Sequence, residues 1–257
     1  DWLAREFIKS DWDVKAMHKR IVLSATYQQT SRVSPALRER DPENRLLARM
    51  TRQRLPSWMI RDQALFVSGL LVEKQGGPPV KPYQPAGVWA EATFGKKKYT
   101  RDKGEAVHRR SLYTFWRRII GPTMFFDESK RQICEVRRAR TNTPLHALII
   151  LNDTTYIEAA RALAQRALKE ADANDPARVT HAFRLATSRA PKPVEHATLL
   201  QRLNQLRATY AKDPKATQAL LAVGEFKRDE KLNATDHAAY TVLCNLILNL
   251  DEVITRE

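Results

Sequence analysis

"RRARTNTPLHALIILND", residues 137–153, is where the chain changes character: three arginines, Arg137, Arg138 and Arg140, run into Thr143, a proline and an apolar run. A capping side chain followed by Pro at the first helical position marks a helix start. Pro lacks only an N–H that would have no intrahelical acceptor there, and its fixed φ already suits the helix. The same pairing recurs at Ser34-Pro35, Asp41-Pro42, Asp175-Pro176 and Asp213-Pro214. From Pro144 onward the pattern is helical to the end, through "TYIEAARALAQRAL", "ARVTHAFRLATSR", "VEHATLLQRLNQLRATYA", "KATQALLAVG" and "DHAAYTVLCNLILNLDEVI". Short polar connections join these segments, as in antiparallel bundles. The expected fold class is mainly α, with a bundle-like architecture.

Upstream of the opening stretch, "VKAMHKRIVLSATY" after Asp13 puts Val14, Met17, Ile21 and Ala25 on one helical face, and Leu3, Phe7 and Ile8 suggest a shorter helix before it. "SWMIRDQALFVSGLL" places Met59, Leu65, Phe66, Gly69 and Leu70 in a similar register, with Ser57 as cap. "EKQGGPPVKPYQPAGVW", residues 73–89, holds two Gly and four Pro before its final Gly and marks a long ordered loop or a seam between lobes. In "RRSLYTFWRRII" the composition turns β-like, which predicts one short strand around residues 110–117. The chain is read as one domain, 1–257, divisible into a helical lobe (1–72), a loop and short-strand basic region (73–143) and a second helical lobe (144–257).

The totals exclude several classes. With 257 residues, 43% hydrophobic and 28% charged, the chain is long and apolar enough to bury a core without staples, and global disorder is excluded. The longest apolar run contains His146 and ends at Asn152, well short of the roughly 20 residues a membrane helix needs. No targeting signal is seen at the start, "DWLAREFIKS". The net charge is +15, and residues 96–140 hold 14 Lys and Arg against 5 Asp and Glu, so most of the surplus lies mid-chain. Such an excess favours contact with polyanions.

Motifs for chemistry are sparse. His18, His108, His146, His181, His196 and His237 are scattered one per segment, without the close spacing of a metal site, and there is no CxxCH to attach a c-type haem in this chain. Cys134 and Cys244 leave a disulfide open. Cys134 in "KRQICEVRR" is either a thiol activated by flanking basic residues or a small hydrophobe beside Ile133 and Val136. Asp127 and Glu128 are adjacent and so diverge, which favours a cap over a catalytic pair. "HRRSLYTFWRR" is the strongest binding candidate: Arg109, Arg110, Arg117 and Arg118 bracket Tyr113, Phe115 and Trp116, the arrangement that stacks rings while holding anions. The competing reading places those aromatics in the core.

The opening stretch carries the same choice. The amides at the Thr143 helix start, with Arg137, Arg138 and Arg140, make an anion site if exposed; if buried, the arginines pair with Asp153 or Asp127 and lock the loop. His146 lies one turn in. The candidate binding set is therefore Arg109, Arg110, Tyr113, Trp116, Arg117, Arg137, Arg138, Arg140, Thr143 and His146, with Cys134 and Asp127 as reactive candidates.

"DWLAREFIKSDWDVKAMHKRIVLSATYQQTSR", "DPENRLLARMTRQRLPSWMIRDQAL", "GGPPVKPYQP", "RRSLYTFWRR", "FDESKRQICEVRRARTNTPLHALIILND", "YIEAARALA" and "LILNLDEVITRE" together resemble the planctomycete-type PSD-one domain of unknown function, in the family's order over essentially the whole chain. The resemblance implies the C-terminal part of a large secreted protein, an extracytoplasmic setting and a c-type haem in a neighbouring domain, and it supplies no catalytic residues. On this basis the expected function is a noncatalytic binding or scaffold domain that holds an acidic partner through its basic middle. That partner is a neighbouring domain of the same polypeptide or an anionic polysaccharide. The alternatives are a catalytic domain acting with the haem domain on a carbohydrate-like substrate and, third, nucleic-acid binding, which the implied location disfavours.

Overall fold

The computed structural model describes residues 1–117, 120–129, 134, 136 and 140–256. Among them the chain divides into two compact units, residues 1–53 with 255–256, and residues 54–254. The Gly/Pro-rich stretch at 73–89 lies inside the second unit.

The first unit contains α1 (Trp2–Lys9), α2 (Val14–Val22) and α3 (Pro35–Arg40). Asp13 caps α2 through the Ala16 amide (3.0 Å), and Ser34 caps α3 through Leu37 (3.2 Å). Glu6 reaches Lys9 at 3.0 Å and Arg20 at 2.9 Å, which ties α1 to α2. None of the three helices has a buried residue. Asp41-Pro42 starts a turn, not a helix: the Asp41 carboxylate accepts from the amides of Arg45 and Leu46, both at 2.8 Å. Two short strands, β1 (Gln53–Arg54) and β2 (Thr255–Arg256), form a two-stranded sheet.

The second unit holds α4 (Ser57–Ser68), α5 (Val88–Ala92), 3₁₀ turns at Gly104–His108 and Ser111–Tyr113, then α6 (Pro144–Asn152), α7 (Thr154–Glu170), α8 (Asp175–Thr187), α9 (Pro193–Lys212), α10 (Pro214–Leu221), α11 (Ala234–Leu248) and α12 (Asp251–Ile254). The mainly α fold class is what the sequence predicts. Its β element around 110–117 takes a different form: the stretch makes a 3₁₀ turn and isolated bridges, Val80 with Thr114 and Arg117 with Ile120, because its aromatics turn to separate partners.

α7 is the centre. It packs against α4, α6, α8 and α11, and its buried residues run round the helix: Tyr156, Ala159, Ala160, Leu163, Ala164 and Ala167 are fully buried on one face, and Thr155, Glu158, Arg161 and Ala162 are buried on the other. Four of the first six are Ala, so α11 can lie close with Tyr240, Leu243, Cys244 and Ile247 against them. Asp153 ends α6 and caps α7 through the Thr155 amide at 2.8 Å. At α8 the cap is Asn174, one residue before the Asp175-Pro176 pair, which frees Asp175 to take both arms of Arg207 and the Tyr240 hydroxyl.

α4 ends earlier than its apolar pattern suggests. Gly69 is left-handed (φ 77°), and the amides of Leu70 and Leu71 both return to the Leu65 carbonyl. Its buried face is Ile60, Arg61, Ala64, Leu65 and Val67, so Met59 and Phe66 face outward and the register is rotated from the sequence reading.

The loop between α10 and α11 is fastened to α7 by Glu158. That fully buried carboxylate accepts from the amides of Glu225 and Phe226, each at 2.5 Å, and meets His108 Nε2 at 3.0 Å. Gly224 permits this: a Cβ there would lie 2.4 Å from the Glu158 carboxyl carbon, and its φ is +87°.

Candidate functional site

The opening stretch folds against Arg54. At the start of α6, the Thr143 amide donates to His146 Nδ1 at 3.4 Å, which is the capping-box return of the third helical side chain to the cap. Arg54 Nη1 lies 2.5 Å from the same Nδ1 and also donates to the Thr141 carbonyl. With two donors aimed at Nδ1, the ring's proton sits on Nε2. Burial, then the Arg54 charge, holds the His146 pKa below its usual value, so the imidazole is neutral. Phe126 packs both groups, with the Arg54 guanidinium 4.2 Å and the imidazole 4.3 Å from its ring centre.

Asp127 completes the cluster. Its left-handed backbone (φ 57°) turns the carboxylate toward Thr141, whose amide and hydroxyl each donate at 2.8 Å. It stands 3.7 Å from Arg54, within ion-pair range, and 3.8 Å from the Nε2 of the neutral His146 ring, both beyond a hydrogen bond. Asp127 therefore caps no helix; it joins the 122–129 turn to the start of α6. With Arg54 and His146 buried and the carboxylate already accepting two hydrogen bonds, the arrangement holds a loop and presents no open acid–base pair. Asp153, the other acid named as a partner for the arginines, is spent as the α7 cap.

The aromatic candidates are drawn apart. Arg109 is buried; its Nη1 donates to the Pro78 carbonyl at 3.1 Å and its Nη2 to those of Lys74 (3.0 Å) and Gly76 (2.5 Å). Tyr113 lies under that guanidinium at 3.9 Å, and its hydroxyl accepts from the Gly76 amide at 2.8 Å. Both residues lock the Gly/Pro-rich loop instead of facing a ligand. Phe115 packs on Trp89, 6.1 Å between centres. Trp116 stacks on Phe125 at 5.8 Å over Gly121, and Arg117 sits 5.7 Å from the Trp89 ring.

Arg110 is exposed and lines a groove of about 550 Å³ on α4 with Trp58, Phe66, Asp62 and Glu73. Cys134, Val136 and Arg140 are exposed, so Cys134 is not the buried hydrophobe of one reading. Arg137 and Arg138 lie outside the described residues, as does Arg118. Among the described residues no group of three or more His, Cys or carboxylate side chains gathers to hold a metal, and no helix is long and apolar enough to cross a membrane.

Four interior charges, Arg54, Arg61, Glu158 and Arg161, escaped the motif reading. Arg54 sits in no pattern. Arg61, Glu158 and Arg161 did leave a signal, each a charged residue with apolar residues three or four positions along the same helical face, in "MIRDQAL" and "YIEAARALA".

A family model described as a protein of unknown function, PSD1 (DUF1553), matches residues 1–203 and stops short of the closing "LILNLDEVITRE". No curated protein and no solved structure matches the chain.

Proposed function

The chain belongs to the PSD1 (DUF1553) family, whose description assigns no activity, and we propose that it is a noncatalytic binding or scaffold domain contacting an anionic partner through its basic middle. The observation that supports this is a division of labour within residues 96–140. Buried Arg109 is spent on carbonyls of the Gly/Pro-rich loop, whereas Lys96, Lys97, Lys98 and Lys103 are exposed. Exposed cations on a rigid frame attract polyanions and are screened by salt. The setting proposed with it is extracytoplasmic, beside a c-type haem domain of the same polypeptide. The partner is that neighbouring domain or an anionic polysaccharide.

The catalytic alternative would draw on Asp127, His146 and Cys134. His146 is buried and Asp127 already accepts two hydrogen bonds from Thr141, which counts against it.

A binding panel tests the reading: uronic and sulfated polysaccharides, duplex DNA and a neutral glycan, each across a salt series. The expected result is acidic-polysaccharide binding that weakens on the order of tenfold or more between about 50 and 200 mM salt, and that is lost in a Lys96→Ala, Lys97→Ala, Lys98→Ala triple variant. Trp116→Ala should leave it unchanged. Equal binding of the neutral glycan, or a triple variant that binds like wild type, would overturn the proposal.

A further inference from the structure

Two polar side chains between α7 and α11 are buried yet leave hydrogen-bonding atoms unused. Arg161, 1% exposed, gives Nη2 to the Phe226 carbonyl at 2.5 Å, but among the described residues its Nε and Nη1 have no partner. His237, fully buried, has Nε2 3.0 Å from the Arg161 carbonyl. A carbonyl can only accept, so the ring's proton is on Nε2. Burial holds the His237 pKa below its usual value, and Nδ1 is left as a bare acceptor, also without a partner.

Arg228 joins them from the loop. It follows Phe226 by two residues, and its Nη1 is buried and unpartnered as well. Its backbone is held by its neighbour Asp229, whose amide donates to Gln165 at 2.8 Å, one turn along α7 from Arg161, and whose carboxylate takes Lys169 at 2.8 Å, and its charge is close enough to act on both Arg161 and His237. Glu158, the other nearby acid, is occupied by His108 and two amides. Buried donors and acceptors without partners are costly, about 1–3 kcal/mol each, and folded proteins meet them with an ion or a water.

The complement these atoms require is specific. Two guanidinium groups offer donors, and one imidazole nitrogen offers an acceptor. A fitting ligand must accept several N–H bonds and donate one O–H. Hydrogen phosphate does both; sulfate at neutral pH has no O–H to give. We infer that Arg161, Arg228 and His237 form an internal site for the free hydrogen phosphate ion, which keeps an O–H at neutral pH, where a monoester is mostly a dianion without one.

Calorimetric titration of the 257-residue chain near neutral pH tests this, with inorganic phosphate, glycerol 2-phosphate and sulfate at matched ionic strength. The expected result is saturable one-site binding of phosphate, roughly tenfold or more tighter than sulfate or glycerol 2-phosphate, since in both the missing O–H leaves Nδ1 unpaired. Monoester binding as tight as that of phosphate would overturn the assignment, because it would show that no O–H to Nδ1 is needed. Arg228→Gln should weaken binding by a similar factor while the thermal unfolding curve in phosphate-free buffer stays near wild type. In wild type the His237 Nδ1 NMR resonance should move on adding phosphate. Absence of saturable binding, equal affinity for sulfate, or binding that survives Arg228→Gln would each overturn the assignment. The first assigns water alone to these atoms and the last places the anion on exposed basic side chains.

Discussion

Arg61 on α4 and Arg161 on α7 are both fully buried, yet their surroundings treat them oppositely. Arg61 Nη1 donates to the Arg109 carbonyl (2.9 Å) and Ser111 Oγ (3.1 Å), its Nη2 to the Val107 carbonyl (2.7 Å), and Asp62 stands 3.6 Å away while also accepting from Ser111. Two of its three nitrogens are spent on the 3₁₀ turns that carry the aromatic stretch. Arg161 has one acceptor among the described residues and two nitrogens over. An equally buried cation is thus a structural post in one place and an unfinished binding group in the other. The number of acceptors around it, and not its burial, decides which.

Replacing each by Met separates the two. Arg61→Met strips partners from two carbonyls and a hydroxyl and leaves Asp62 without its buried cation, so urea unfolding should show a loss of about 3–5 kcal/mol. Arg161→Met forfeits one hydrogen bond and also removes the orphaned donors, so the loss should be only about 1–2 kcal/mol in phosphate-free buffer. Equal losses would break the comparison.

The position of Arg161's acceptor depends on Gly224. Gly224→Ala would place a methyl 2.4 Å from the Glu158 carboxyl carbon on a backbone with φ +87°. The loop must lift or Glu158 must turn, at about 2–4 kcal/mol in sum. Native-state hydrogen exchange should show this as faster exchange of the Glu225 and Phe226 amides, with the amides of α9 unaffected. Unchanged protection at 225 and 226 would mean that Glu158 does not hold the loop.

Much of this architecture could be read in advance, because it rests on local rules. The caps at Ser34, Thr143 and Asp213 precede helices as their Pro neighbours indicate. Asp41-Pro42 misleads because an Asp carboxylate serves a turn as well as a helix, and only the following residues' dihedrals distinguish them. The register of α4 was hidden because Arg61, charged yet buried, lies on the inner face while Met59 and Phe66, apolar yet exposed, lie on the outer one. Arg109 looked like a ligand group for the same reason: sequence shows a charge but not the three carbonyls of a loop about 30 residues upstream that absorb it. The unspent atoms of Arg161 and His237 depend on packing among α7, α11 and the 225–229 loop, which no spacing within one helix encodes.

A third arginine sharpens the lesson from the opposite side. Arg189 has an acceptor for every N–H, four hydrogen bonds of 2.7–2.9 Å to Glu195 and Glu252 and one to the Ala190 carbonyl, but its side chain is about a third exposed. Those bonds, Arg189 first and then the Lys192 amide, lower the Glu195 pKa from its usual 4.5 to about 2. A carboxylate whose folded pKa is depressed stabilises the fold above its unfolded pKa, and that contribution disappears as pH falls through the folded one. Exposed pairs of this kind contribute about 0.5 kcal/mol, so Glu195→Gln should trail wild type by that small margin at pH 6, and the two stabilities should converge between pH 4.5 and about 2. Added salt should narrow the gap at pH 6 too, whereas the Arg61→Met loss, set by buried groups, should hardly respond. A salt-insensitive gap as large as that of Arg61→Met would show that acceptor supply alone, without burial, makes an arginine structural here.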